Sequence, residues 1–165
     1  SVRATPQLRA TFAFSSIYLR TPARFVARGT GTQPPSPESL AGRSIAVVSG
    51  SAHEAYLRLF FPRSIARGYD DLTRAREALS RGEVDLLFGD GLSLAIWLNS
   101  ADAAGCCLFV GGPYTESRYF GEGIAIALRK NEHVLKRAVD YALQRISEKG
   151  TYAELYLRYF PVGFY

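Results

Sequence analysis

The feature that most constrains the fold is an apolar run at residues 45–48 that ends at Ser49-Gly50-Ser51 and leads into a helical pattern. A short strand that breaks at serine and glycine before a helix directs the first backbone N–H groups of that helix to one point. Such a turn can hold a carboxylate or a phosphate. The pattern predicts an anion site, although an ordinary capped helix start has the same sequence.

A second apolar run at residues 84–88 leads through Gly89 to Asp90. Because the carboxyl ends of parallel strands meet at one edge of a sheet, we expect Asp90 to lie near Gly50. An anion site beside an acidic side chain suits a zwitterion, and an amino acid is the natural one. The alternative is that Asp90 only caps the following helix.

Composition narrows the class of protein. The chain has 165 residues, of which 47% are hydrophobic, enough for one domain or two small lobes. Its net charge of +5 is scattered along the sequence, so we expect no nucleic-acid partner. No apolar stretch reaches the roughly 18 residues of a membrane span. The chain contains no methionine, and we expect a removed leader or a piece of a longer protein.

The two cysteines are adjacent, Cys106 and Cys107. A disulfide between neighbours strains the intervening peptide, and no histidine or further cysteine lies nearby to complete a metal site. Because the apolar residues 108–110 follow, we expect two buried thiols on a strand, with redox signalling as the alternative. No motif for a cofactor is present.

The remaining periodicity predicts an α/β chain. Strands are expected at residues 12–14, 23–28, 44–48, 84–88, 106–110 and 124–128, and helices at residues 52–60, 72–81, 92–98, 132–148 and 151–159. Residues 23–28 alternate as a half-exposed strand would. The first long C-terminal helix is expected to bury one apolar face, formed by Val134, Leu135, Ala138, Val139, Ala142, Leu143 and Ile146. Strands alternating with helices imply a parallel or mixed sheet with helices on both faces.

Several short motifs, in their order and spacing, resemble one family. They are Thr5-Pro6 with Phe14-Ser15, residues 38–43, Gly50-Ser51 with Glu54, residues 82–85 leading to Asp90, residues 111–113, Phe120-Gly121 with residues 128–130, and residues 150–152. The chain resembles the type II periplasmic solute-binding proteins of amino-acid ABC transporters (family 3), in the lysine/arginine/ornithine- and histidine-binding branch. The likeness covers nearly the whole chain.

The resemblance implies a mixed α/β fold of two lobes that close around a ligand. Residues 1–22 would form part of lobe 1, residues 23–119 lobe 2, and residues 120–165 the hinge return and the C-terminal part of lobe 1. Members of the family begin with a strand, a helix and a strand ahead of the Thr5-Pro6 segment, so we expect lobe 1 to be incomplete.

The family resemblance also implies a function and a site. The chain would be a monomeric periplasmic protein that binds a polar, possibly cationic, amino acid and delivers it to a membrane permease, without catalysis. The residues that correspond to the family's pocket are Ser1, Arg3, Ser49, Gly50, Ser51, Ala52, His53 and Asp90. Of these, Ser51 and the backbone around Gly50 and Ala52 would hold the ligand carboxylate, and Asp90 would hold its ammonium. His53 would contact the distal part of the ligand, and Ser1 and Arg3 would face the crevice.

One position departs from the family. The carboxylate-binding arginine of the family would stand at Leu8, and Arg9 is one residue out of register. A shift of one residue on an extended segment turns the side chain to the other face. Arg3 is our candidate replacement, because a guanidinium can form two parallel hydrogen bonds to a carboxylate.

Two other functions stay open at the level of sequence. A dehydratase-like enzyme on the same scaffold would need an acid or base over a small carboxylate, and His53, Glu122 and Asp90 are the candidates. A ligand-sensing domain of a receptor would share the binding site. Turnover of a ligand would distinguish the enzyme from the two binding functions.

Overall fold

The computed structural model describes residues 2–29 and 34–160, with the side chains of Arg3 and Pro6 left out. The described residues divide into two compact units, a smaller one of residues 2–21 with 121–160 and a larger one of residues 22–29 with 34–120. Nine strands and seven α-helices lie in the described part. They are β1 (Val2–Arg3), α1 (Pro6–Thr11), β2 (Phe12–Phe14), β3 (Ala23–Arg28), β4 (Ser44–Val48), α2 (Ala52–Phe60), β5 (Ile65–Tyr69), α3 (Leu72–Arg81), β6 (Leu86–Asp90), α4 (Gly91–Leu98), β7 (Cys107–Tyr114), α5 (Ser117–Phe120), β8 (Ile124–Ala125), β9 (Ala127–Arg129), α6 (His133–Glu148) and α7 (Thr151–Tyr159).

The larger unit is built on a five-stranded mixed sheet in the order β5-β4-β6-β3-β7. Strands β5, β4 and β6 are parallel, while β3 runs antiparallel to both β6 and β7. One buried cluster packs α2 against the sheet around Phe25, Leu57 and Phe88. A second packs the segments of α3 and α4 around Leu79, Leu94 and Trp97. The alternation of strands and helices therefore predicted this mixed, two-faced sheet correctly.

Helix ends in the larger unit follow local sequence signals. Ser51, Asp71 and Asp90 precede α2, α3 and α4, and each side chain accepts a hydrogen bond from an amide in the first turn. Gly82 ends α3 with a φ of +77°, a left-handed conformation that glycine adopts without strain. These caps explain why the predicted bounds of α2 and α3 agree with the structure.

Two sequence predictions for the larger unit are wrong, and one strand was not predicted. Strand β3 is central in the sheet rather than half-exposed, and its second residue, Arg24, is buried. Strand β5 was not predicted, because it is an exposed edge strand with a polar middle. Cys106 and Cys107 form a disulfide, not a pair of buried thiols. Cys106 precedes β7, so the alternation of a strand does not separate the two side chains.

The smaller unit has two antiparallel two-stranded sheets, β1–β8 and β2–β9. The predicted strand at residues 124–128 is split between them, at Ile126. Its buried core within the described residues consists of Ala4, Phe14 and Ala125. Helices α6 and α7 follow in sequence, and neither contains a buried residue. The predicted burial of one α6 face is therefore wrong for this chain.

None of the helices in the described ranges is both long enough and apolar enough to span a membrane.

Candidate functional site

The predicted turn after β4 and the acidic end of β6 share one edge of the larger sheet. Strands β4 and β6 are parallel neighbours, with Ile45 opposite Leu86 and Ala46 opposite Leu87. Continued by the same offset, this register places Ser49 level with Asp90. Beyond these two positions, β4 and β6 are not paired through their backbones. A gap at this edge is where α/β sheets bind ligands.

The backbone amides at the start of α2 are mostly occupied by groups of the protein itself. Ser49 donates to the Tyr69 carbonyl at 2.8 Å, and Ser51 donates to the Val48 carbonyl at 3.3 Å. Gly50, with a φ of +69°, donates to the Glu54 carboxylate at 2.7 Å.

The other backbone amides in the first turn of α2 determine which hydrogen-bond donors a bound anion can reach. The Glu54 amide is capped by Ser51 Oγ at 3.2 Å. Ala52, at the first helical position, is solvent-exposed, and its amide has no acceptor within the described part of the chain. Four amides lack intrahelical acceptors at every helix start, and a ligand can supply the missing one. The anion site predicted over residues 49–52 therefore narrows to the Ala52 amide.

Glu54 closes the turn at the start of α2, a role that the sequence analysis did not assign to it. One carboxylate oxygen accepts from Gly50, and the other accepts from Arg58 one turn further along α2. The hydrogen bonds from Arg58 and from the Gly50 amide hold the pKa of Glu54 below its usual range. The signal was present as Ser51-x-x-Glu54, the pattern of a capping box.

Asp90 performs one of the two roles that the sequence left open, the capping of α4. Its Oδ1 accepts hydrogen bonds from the Ser93 amide and the Ser93 hydroxyl, both at 2.9 Å. It therefore caps α4. The residue is only half-buried and lies at the sheet edge opposite Ala23 of β3. A capping carboxylate still carries its full negative charge, so capping does not prevent ammonium binding.

His53 packs against aromatic side chains of its own unit. Its ring stacks on Phe120 with centroids 5.1 Å apart and meets Phe88 edge to face at 5.8 Å. Tyr56 lies in the same cluster, and burial raises the pKa of its hydroxyl, helped by a hydrogen bond with Glu116. One face of the His53 imidazole is thus covered by protein, and the ring is half-buried.

The predicted site residues of the smaller unit are only partly described. Ser1 lies outside the described residues, and for Arg3 only the backbone is described, on β1 opposite Ile124. Leu8 packs against the small core of this unit. Arg9 forms an ion pair with Glu122 and lies over the Phe14 ring, 5.4 Å from its centroid. The charge of Arg9 is therefore already balanced by Glu122.

Two grooves lie elsewhere in the structure, and one of about 400 Å³ is lined by residues of α3 with Trp97 and Asp102. An open groove of about 620 Å³ lies in the smaller unit between residues 16–18 and α6. Its one acidic side chain, Asp140, already accepts from the Ser16 amide and from Lys136. No group of three or more metal-ligating side chains comes together within the described residues.

Known proteins resemble this chain along nearly its whole length. Residues 1–162 match the family described as bacterial extracellular solute-binding proteins, family 3. The L-arginine-binding protein of Pseudomonas aeruginosa is 28% identical over 100% of this chain and 64% of its own length. The lysine/arginine/ornithine-binding periplasmic protein of Escherichia coli is 26% identical over 100% of this chain and 64% of its own length.

Solved structures share the fold. An ancestral cationic amino acid solute binding protein superposes with a TM-score of 0.80 at 21% identity, over 96% of this chain and 66% of that one. The chain therefore spans slightly less than two thirds of the length of these relatives.

Proposed function

We propose that this chain, which belongs to the bacterial extracellular solute-binding proteins, family 3, captures a polar amino acid for the membrane permease of an ABC importer. Arginine, lysine, ornithine and histidine are the first candidates, because relatives carry those ligands in their names. The observation that carries the proposal is the unengaged Ala52 amide at the same sheet edge as Asp90.

Each group at this edge has a proposed role. The Ala52 amide would donate to the ligand carboxylate, with the helix dipole adding to the attraction. Asp90 would hold the ligand ammonium by a charge-assisted hydrogen bond. Ser49, Gly50 and Ser51 would shape the turn, since their own amides are engaged.

The remaining predicted residues keep proposed roles of their own. His53 would border the distal part of the ligand with the part of its ring that the aromatic cluster leaves uncovered. Arg3 would supply the guanidinium that the family places at the position of Leu8, and Arg9, paired with Glu122, is a poor candidate for it. Ser1 would add a polar group beside Arg3.

The proposed setting is the periplasm, and no bond is made or broken. Of the candidate acids and bases for a dehydratase, Glu122 is paired with Arg9 and His53 is stacked on Phe120. A sensor domain would use the same ligand site, so the test below concerns ligand capture, which both binding functions share.

The test is a titration followed by amide NMR. Millimolar L-arginine is added to the ¹⁵N-labelled chain, and we expect saturable shifts at the amides of Ala52 and Ser93. Agmatine, which is arginine without its carboxylate, is the matched control ligand and should leave the Ala52 amide unshifted. The proposal fails if none of the four cationic amino acids shifts these amides.

A further inference from the structure

The disulfide of the larger unit joins two neighbouring residues and ties no distant parts of the fold together. Cys106 and Cys107 are bonded to each other, and Cys107 is the first residue of β7. A disulfide stabilises a fold mainly by closing a loop of the unfolded chain, and the effect grows with the length of that loop. Neighbouring cysteines enclose no loop. This bond therefore contributes little as a crosslink, and its role must be sought in its chemistry.

Both cysteines are partly open to solvent. Cys106 and Cys107 are each half-buried. The Ser80 hydroxyl donates a hydrogen bond to Cys106 Sγ at 3.6 Å, because a disulfide sulfur has no hydrogen to donate. A disulfide that solvent can reach is open to attack by a thiolate.

Ser80 connects this disulfide to the groove of about 400 Å³ in the larger unit. Trp97 and Asp102 line the groove together with a stripe of α3 residues at spacings of three and four. The stripe consists of Thr73, Arg76, Glu77, Ser80 and Arg81. Because Ser80 lines the groove and also contacts Cys106, a small molecule in the groove lies beside Cys106 Sγ.

The least compensated charge in this groove is positive. The Arg76 guanidinium lies 5.7 Å from the centre of the Trp97 ring, and its Nη2 donates to the Ser93 carbonyl at 2.8 Å. Its Nε is buried and has no hydrogen-bond partner in the described structure. Burial lowers the pKa of this guanidinium, as expected for a charge that water solvates poorly.

The other charges of the groove are better screened. Glu77 and Arg81 form an ion pair at 3.2 Å, and Arg81 also lies near Glu83. Asp102 attracts Arg76 but is exposed to water. Water weakens the fields of such exposed groups more than that of a half-buried one. A carboxylate is therefore the ligand group that this groove favours, with Arg76 as its partner.

A second arginine lies beside the other cysteine. Arg28 of β3 is paired with Cys107 of β7 across the antiparallel ladder. Residues paired in this way have their side chains on the same face of the sheet. A nearby guanidinium favours a thiolate over a thiol. When the disulfide opens, Cys107 is therefore the better placed of the two to carry the negative charge.

We propose that the Cys106–Cys107 disulfide is a modification site for a small thiol that also carries a carboxylate. The carboxylate pairs with Arg76 in the groove, and the thiolate attacks Cys106 Sγ. The bond between the two cysteine sulfurs breaks as the new S–S bond forms, and Cys107 leaves as a thiolate that takes a proton from water. The product is a mixed disulfide at Cys106, and attack by the Cys107 thiolate releases the small thiol again.

The test treats the 165-residue chain with millimolar N-acetylcysteine, and with its amide as the uncharged control thiol. Free thiols are then blocked with N-ethylmaleimide, and tandem mass spectrometry of peptides locates both groups. We expect N-acetylcysteine on Cys106 and the maleimide on Cys107. With rates expressed per thiolate, the amide should react at least roughly threefold more slowly, as expected from the loss of one partly exposed ion pair.

Variants of α3 test the charge of the groove. Arg76→Gln should abolish the preference for N-acetylcysteine over its amide, and Arg76→Lys should restore most of it. Arg74→Gln removes the same charge from an exposed position of α3 outside the groove, and should keep the preference. Urea unfolding followed by the fluorescence of Trp97 checks that each variant is folded.

Three results would overturn the proposal. They are free thiols in the chain purified in air, failure of the adduct to form on Cys106, and equal rates for N-acetylcysteine and its amide. The acetyl group removes the ammonium that Asp90 would bind. Success or failure of amino-acid capture therefore leaves this proposal unaffected.

Discussion

The carboxylate of Glu54 accepts a 2.7 Å hydrogen bond from the backbone amide of Gly50, four residues earlier in the chain. This contact closes the turn between β4 and α2 with a group of the protein itself. It occupies the Gly50 amide, whereas the Ala52 amide has no acceptor within the described part of the chain. Glu54 is therefore expected to fix the shape of the site without touching the ligand.

Replacement of Glu54 by Gln should weaken this closure. The amide side chain retains an acceptor but loses the charge that strengthens the bonds to Gly50 and Arg58. We expect the free energy of unfolding at pH 7 to fall by about 0.5–1 kcal/mol, as for other capping contacts. Urea unfolding followed by the fluorescence of Trp97, the single tryptophan, measures the larger unit directly.

The matched control for Glu54 is Glu77→Gln. Glu77 forms the same type of ion pair with Arg81, also four residues apart, and accepts no backbone hydrogen bond among those described. Such an exposed pair contributes little. An equal loss of stability in the two variants would contradict the role given to the Gly50 contact.

The same contact predicts a dependence on pH. The pKa of Glu54 is lowered in the folded chain by Arg58 and by the Gly50 amide. Its stabilisation is therefore complete above the unfolded pKa of about 4.3 and is lost as the pH falls through the lower folded value. The stability difference between the chain and Glu54→Gln should shrink over that acidic range. A difference that stays constant down to pH 3 would disprove this linkage.

Ala52→Pro tests the Ala52 amide as a donor to the ligand. Proline is favoured at the first helical position, and Ser51 before it already has the extended conformation that proline requires. The substitution should therefore remove the N–H donor and leave the unfolding free energy within about 0.5 kcal/mol. We expect L-arginine binding to weaken by roughly tenfold. Ala52→Gly keeps the donor and should bind normally, and NMR titrations that do not separate these two variants would remove Ala52 from the site.

Asp90→Asn removes the charge of this side chain but keeps its capping of α4. Asparagine caps helices about as well as aspartate, so the bond with the Ser93 amide should persist and stability should hardly change. A bound ammonium would lose its counter-charge, which should weaken amino-acid binding by on the order of 2 kcal/mol, or about thirtyfold. Calorimetry that gave the wild-type affinity would exclude Asp90 as the ammonium ligand.

The parts of the fold that the sequence predicted well are those with local causes. The strand at residues 44–48, the turn at Gly50 and the helix from Ala52 depend on side chains within a few residues of one another. Asp71 and Gly82 fix the ends of α3 in the same way. The edge shared by Gly50 and Asp90 was also predicted, because parallel strands leave little choice of direction.

The features that the sequence could not give depend on distant parts of the chain. His53 stacks on Phe120, 67 residues later, and that contact depends on where α5 packs. The periodicity of α6 predicted an apolar face correctly, but periodicity does not reveal whether a partner is present to cover it. The central position of β3, and with it the burial of Arg24, follows from the strand order.

Arg24 is a buried cation with incomplete hydrogen bonding. It is 5% exposed, its Nη2 donates to the Gly111 carbonyl at 3.0 Å, and its guanidinium lies 4.5 Å from the centre of the Phe109 ring. Its Nε and Nη1 atoms are buried and have no partner in the described structure. Burial lowers the pKa of this guanidinium. The contacts with Gly111 and Phe109 therefore offset only part of the free-energy cost of removing the Arg24 charge from water.

Arg24→Met should therefore be nearly neutral or stabilising. Methionine keeps an unbranched apolar stem against Phe109 and removes the buried charge with its unpaired donors. We expect the unfolding free energy to change by less than about 1 kcal/mol or to rise, whereas Arg24→Ala, which also leaves a cavity, should cost about 2–3 kcal/mol. Urea unfolding monitored at Trp97 compares the two. A large loss in the methionine variant would show that the charge itself stabilises this sheet.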